Sequence, residues 1–274
     1  MSRHIDRRAV LAGVIPAGVA AGSVAVAPSA MALPSIRMDR VVVQAQVEPW
    51  TNRNSRIAGD YAVKEVQRAL RAKIGGVVVD GHYGDQTRDA YATWQRRLGY
   101  SGLGANGIPG PTSLTRLGNN RFDVTHKIKV GSRTTYSGVS VNQRTRNMLV
   151  RARGKIGWSW DVTQGGYNGC SSYSACTHAG GGAVDVILDW GNARGWKTVR
   201  ALRAVGFAAW LRTPDQGDWV KHIHAIAIGD TDTHRQAADQ VGDYYIGRNG
   251  LASHAADNQP DGYDPGFTWW EKVR

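Results

Sequence analysis

The chain has 274 residues, 42% of them hydrophobic, which is enough for about two packed domains and too apolar for a disordered polymer. Its formal net charge is +12, yet no run of Lys and Arg is longer than two. Without a basic stripe, a helix-turn-helix or a zinc-finger pattern, this charge suits a polyanionic surface and gives no ground for a nucleic-acid partner.

Arg7-Arg8 precede an uncharged stretch over residues 9–36, in which Ala30-Met31-Ala32 offers a small-residue cleavage site. The string Asp6-Arg7-Arg8-Ala9-Val10-Leu11 looks like a twin-arginine export signal, so residues 1–32 are expected to be a signal peptide. Pro16, Pro28 and Pro34 argue against the same stretch being a stable membrane-spanning helix. Membrane contact is then expected only through the signal peptide before cleavage. Its removal takes away Arg3, Arg7, Arg8 and Asp6 and leaves a charge of +10. The two cysteines, Cys170 and Cys176, lie six residues apart, and export makes a disulfide the expected state; metal ligation by both is the alternative.

Residues 33–59 read as a polar, irregular lead-in, and residues 60–118 as a compact helical module. Val63, Val66 and Leu70 form one apolar helix face; Ala90, Tyr91, Trp94 and Leu98 form a second. Pro111 and Gly118 bracket a short third helix. The turn Asp80-Gly81-His82-Tyr83-Gly84 returns 26 residues later as Asn106-Gly107-Ile108-Pro109-Gly110, an internal repeat in which each copy precedes a helix start. Gly102-Leu103-Gly104-Ala105-Asn106-Gly107 matches G-x-G-x-x-G, but it follows a helix and opens none, so it is no dinucleotide fingerprint. Residues 119–137 read as a linker. Beyond it, 144–155 and 196–210 have helical spacing, while 183–188 and 219–228 read as strands. The fold class is therefore α+β.

Chemistry concentrates in His178, Asp185, His222 and His224, which read as H-x6-D followed 37 residues after the aspartate by H-x-H. On a strand, His222 and His224 project to one face. Asp185 stands among Ala, Val and Ile, where a lone carboxylate is costly to bury; a metal ion or a salt bridge would compensate it. The joint pattern favours a metal. Two imidazoles and one carboxylate suit one Zn²⁺ with a fourth position open for water, and a nearby base would then move the water's proton.

Two resemblances rest on these residues. Val66-Gln67, Leu70, Asp80-Gly81-x-x-Gly84-x-x-Thr87, Trp94-Gln95, Leu114 and Leu117 resemble the three-helix peptidoglycan-binding domain that accompanies many cell-wall hydrolases, with binding expected at exposed turns around His82, Tyr83 and Arg88. The segment from Ser174 to Asp185 and Lys221-His222-Ile223-His224 resemble zinc D-alanyl-D-alanine peptidases, over residues 138–274. That likeness implies a short antiparallel sheet, His178, Asp185 and His224 as zinc ligands, and His222 as acid/base group. Lys221 stands where many relatives carry a glutamate base. It also implies a secreted, wall-associated hydrolase of peptidoglycan stem peptides, carboxypeptidase or endopeptidase, with anionic wall polymers as a further partner. A non-enzymatic stem binder and a sugar–peptide amidase remain alternatives. The family's upstream arginine is missing, since none lies between Gly154 and His178; Gln164, Tyr167 and Arg153 are the candidates to hold substrate in its place.

Overall fold

The computed structural model describes residues 32–51, 59–170, 174–187 and 191–266. The expected signal peptide lies outside the described residues apart from Ala32, as do residues 52–58 of the lead-in and Leu188 of the expected strand. Among the described residues the chain is mixed α and β, with seven α-helices and short sheets.

The lead-in corrects the expectation of irregular chain. It contains strand β1 (Ser35–Arg37) and helix α1 (Met38–Thr51), whose Val41, Val42, Val43, Ala45 and Val47 are buried. The interspersed Gln44, Gln46 and Glu48 are polar, but all three are inside. Gln46 explains its place: Oε1 accepts from Gly229 N at 2.7 Å and Nε2 donates to Asp230 O at 3.0 Å. A buried amide that satisfies distant backbone groups leaves no periodic trace in sequence.

Helix α2 (Tyr61–Ile74) starts where the Asp60 carboxylate accepts from Val63 N, and it buries Val63, Val66 and Leu70 as its spacing requires. Helices α3 (Asp85–Arg97) and α4 (Pro111–Gly118) come next, the latter with Pro at its start. The internal repeat has a physical basis. Gln67 of α2 accepts from Asp80 N and Gly81 N in the first turn, and Gln95 of α3 accepts from Gly107 N in the second. Gly81 and Gly107 both have positive φ, and a Cβ on either would collide with backbone at 2.5 and 2.4 Å. His82, Tyr83 and Arg88, however, are buried rather than exposed. Tyr83 donates to Gly107 O at 3.0 Å, and Arg88 pairs with Asp85 and, at 2.8 Å, with Asp239 far along the chain. Leu70→Ala would open a cavity in this fully buried layer. It is expected to cost about 2–5 kcal/mol, read by chemical denaturation.

The stretch expected as a linker carries β2 (Asp123–Thr125), parallel to β1, and then β3 (Arg133–Tyr136), which forms a hairpin with β4 (Val139–Asn142). Phe122 and Ile128 enter the same core as the helical module. Helix α5 (Gln143–Arg153), β5 (Val162–Gln164), β6 (Ala183–Ile187), α6 (Asn192–Arg203), β7 (Phe207–Arg212), β8 (His222–Ala227) and α7 (Arg235–Tyr245) complete the order. The stretch 196–210 is not one helix: α6 ends at Arg203, Gly206 takes φ +101°, and the chain re-enters as β7 with all six residues buried.

Strands β5-β6-β8-β7 form one antiparallel sheet. One face carries Val184, Val186, Ile223, Ala225, Phe207 and Leu211 and packs on α5 and α6. The other carries Ala183, Ile226 and Ala208, which join the core shared with α1, α7 and the helical module.

Candidate metal centre

Beyond Ala183, Ile226 and Ala208, strand alternation sets the composition of that second face. Two residues on, Asp185, His224 and Trp210 align across β6, β8 and β7; two further, Ile187, His222 and Arg212 align. Gln164 of β5 pairs with Asp185 from the other side. A single sheet face thus turns from an apolar floor into a row of polar groups.

His178 arrives from the 3₁₀ turn Thr177–Ala179. The motif Gln164-Gly165-Gly166-Tyr167-Asn168 holds it. His178 Nδ1 lies 3.0 Å from Gly165 O, Asn168 N donates to His178 O at 3.0 Å, and Tyr167 N donates to Gly180 O at 3.3 Å. The two segments approach so closely that a Cβ on Gly166 would lie 2.2 Å from Gly180 O. Cys170 and Cys176 form a disulfide just before this turn. Their sulfurs also lie near a ring nitrogen of His234, but two thiols bonded to each other are not free to ligate a metal.

His178, Asp185 and His224 come together with all ligand atoms within 4.8 Å of one another. His178 Nε2 stands 3.3 Å from Asp185 Oδ2, and His224 Nδ1 stands 2.8 Å from Asp185 Oδ1. Each imidazole has its outer nitrogen committed elsewhere: His178 Nδ1 to Gly165 O and, at 2.9 Å, His224 Nε2 to Gln240 Oε1 on α7. Carbonyl oxygens only accept, so both outer nitrogens carry protons and both inner nitrogens face a carboxylate. Two inward imidazole lone pairs and an anion repel one another unless a cation or extra protons sit between them. Donors bonded tetrahedrally to zinc at about 2.0–2.1 Å lie roughly 3.3 Å apart; the His178–Asp185 separation matches this, the His224–Asp185 separation of 2.8 Å is a hydrogen-bond distance, and the donor set suits that ion. Burial pushes the Asp185 carboxyl up, but inward protons on the two histidines, through their hydrogen bonds and charge, outweigh it and hold it well below the usual carboxylate range; a cation between the lone pairs would act in the same direction. Burial lowers the His224 pKa despite the pull of Asp185, which favours the neutral, ligating imidazole.

Gln240→Leu would remove the acceptor that sets the His224 ring. Outer partners of this kind are worth about 10- to 100-fold in metal affinity, and a loss of that size is expected in a competition titration with a zinc chelator.

The cluster lies in a cavity of about 550 Å³, also lined by Gln164, Arg212, Trp219, His222 and Gln240. His222 is partly exposed, and its Nδ1 lies 2.7 Å from Val220 O, which leaves Nε2 as its basic nitrogen. Gln164, a candidate to hold substrate, lines the cavity. Arg153 and Tyr167 do not. Arg153 ends α5 in solvent, and α5 packs on the opposite face of the sheet. The Tyr167 ring lies under the Arg133 guanidinium, and its hydroxyl is where a Cβ on Gly181 would fall. Burial and the nearby Asp232 push that phenol above its ordinary pKa, and Tyr167 serves the loop that holds His178.

Sequence reasoning missed Arg212, Gln240 and Asp218, a carboxylate on the cavity's wall. Arg212 stands downstream of His178 on β7, where it is the cross-strand partner of His222. Its guanidinium is buried over the Trp210 ring, which in turn stacks on His224. Burial pushes its pKa down to about 10, against the pull of Asp185, Asp257 and Asp243. Comparisons with models of protein families, with curated proteins and with solved structures return no match to this chain.

Proposed function

We propose that this chain is an exported zinc peptidase that cleaves peptide bonds in peptidoglycan stem peptides. The observation that carries the reading is the inward triad: two imidazoles, each with its outer N–H bound to a carbonyl, turn their other nitrogens onto the Asp185 carboxylate inside a solvent-reaching cavity.

A zinc ion held by His178, Asp185 and His224 would supply an acidified water and polarise the scissile carbonyl. The remaining roles belong to the chain. His222, with Nδ1 directed to Val220 O, presents Nε2 to take the water's proton and return it to the leaving amine. It serves where Lys221 replaces a carboxylate base. Gln164 is placed to donate to a substrate carbonyl from the wall beside Asp185.

The wall location rests on the twin-arginine-like N-terminus, the charge of +10 left after its removal and the likeness of residues 60–118 to a peptidoglycan-binding module, preceding residues 138–274 as the peptidase part. Binding to insoluble peptidoglycan, tested by co-sedimentation of residues 33–274, is expected to persist in an Asp185→Asn protein. Failure to sediment removes the wall assignment and leaves the metal chemistry standing.

A further inference from the structure

The sheet face that carries the triad also carries an arginine with an incomplete set of partners. Arg212 is 3% exposed. One terminal nitrogen, Nη1, donates to Asn249 O at 2.6 Å. The other, Nη2, is buried and has no hydrogen-bond partner among the described residues. No carboxylate forms an ion pair with Arg212 among the described residues; Asp185, Asp243 and Asp257 act on it only through space. A buried guanidinium nitrogen without an acceptor is costly, and such an orphan calls for a ligand.

Its position says which ligand. Arg212 lines the same cavity as the triad and lies directly across from His222, one row along the face from His224. Gly250, with φ +65°, lies against Nη2: a Cβ there would come within 3.3 Å of it. Gly250 also lines the cavity, so the chain is at its thinnest beside the orphan nitrogen. The Trp210 ring beneath and the Asn249 carbonyl fix the guanidinium plane, which is the pre-organisation that recognition of a planar carboxylate needs.

We propose that Arg212 anchors a free carboxylate of the substrate, so that cleavage falls next to the C-terminal end of a peptide. The proposal rests on the peptidase reading above and narrows it to exo-acting chemistry. An α-carboxylate held by Arg212 sets the register of the chain relative to His222 and the triad. An internal peptide segment offers only a neutral carbonyl at that point and leaves the guanidinium unpaired.

The test compares two ligands on the zinc-loaded protein by calorimetry. Both are stem-like peptides with a reduced, non-cleavable terminal bond; one ends in a free carboxylate and the other in a carboxamide. The carboxylate is expected to bind roughly 10- to 100-fold more tightly, the range of a hydrogen bond to a charged group. In Arg212→Gln the two should bind equally, and in Arg212→Lys part of the preference should return. A purely structural role for Arg212 would lower the melting temperature of Arg212→Gln without changing the ratio between the ligands. Equal binding of both peptides to the wild-type protein overturns the proposal with no variant needed, as does a preference that survives in Arg212→Gln. If both peptides bind equally and the cleavable versions are both hydrolysed, only the anchor is lost and the peptidase reading stands. If neither binds and neither is hydrolysed, both readings fall.

Discussion

Asp185→Asn is expected to abolish zinc binding and hydrolysis together while leaving the protein folded. Among the described residues the carboxylate is the one group that meets both imidazoles, at 3.3 and 2.8 Å, and an amide keeps its shape without its charge. Even outer partners of a metal site are worth about 10- to 100-fold in affinity, so removing the only anion of the set should exceed that range. A second consequence concerns stability. Zinc held at 1,000 times its dissociation constant stabilises the folded state by about 4 kcal/mol, which for a domain of this size raises the melting temperature by on the order of 10 °C. The wild-type protein should lose that increment on chelation, and Asp185→Asn should show no difference with or without zinc. A zinc-dependent shift that persists in the variant would place the ion elsewhere.

His222→Ala is expected to separate the two functions that Asp185→Asn removes together. His222 is outside the triad and partly exposed, so zinc content and melting temperature should stay at the wild-type level. Turnover should fall by about 10²- to 10⁴-fold, the contribution of a positioned general acid/base. The loss should be in kcat, and the rising limb of the pH–rate profile, which reports the base, should disappear. Full activity in His222→Ala would move the base role to another cavity group, of which Asp218 is the available carboxylate.

The residues that line the site were legible from their spacing, whereas the choice of His178, Asp185 and His224 over His222 as ligands came from the resemblance to zinc D-alanyl-D-alanine peptidases. In H-x-H the two histidines share a strand face, and a carboxylate in an apolar run must meet a partner. The helices of the module were legible for the same reason: Val63, Val66 and Leu70 lie on the face that is buried. The features that were not legible depend on long-range partners. Helix α1 hides its character because Gln46 is buried to satisfy backbone at 229 and 230. Arg212 was hidden by a misread boundary. Residues 196–210 keep helical spacing through Val199, Leu202 and Val205, which masks β7 and with it the cross-strand neighbour of His222. Gly206, placed between two apolar stretches, was the available signal for a break. Tyr167 shows the converse. Its motif does serve the site, but through the backbone that holds His178 rather than through its side chain.

The most direct measurement is mass spectrometry of purified peptidoglycan digested with zinc-loaded protein, with Asp185→Asn in parallel. Stem peptides shortened at a peptide bond are expected, with free D-alanine released by the wild-type protein and none by the variant. Unchanged peptidoglycan, equal products from both proteins, or glycan strands freed by cleavage of the sugar–peptide bond would contradict the peptidase reading.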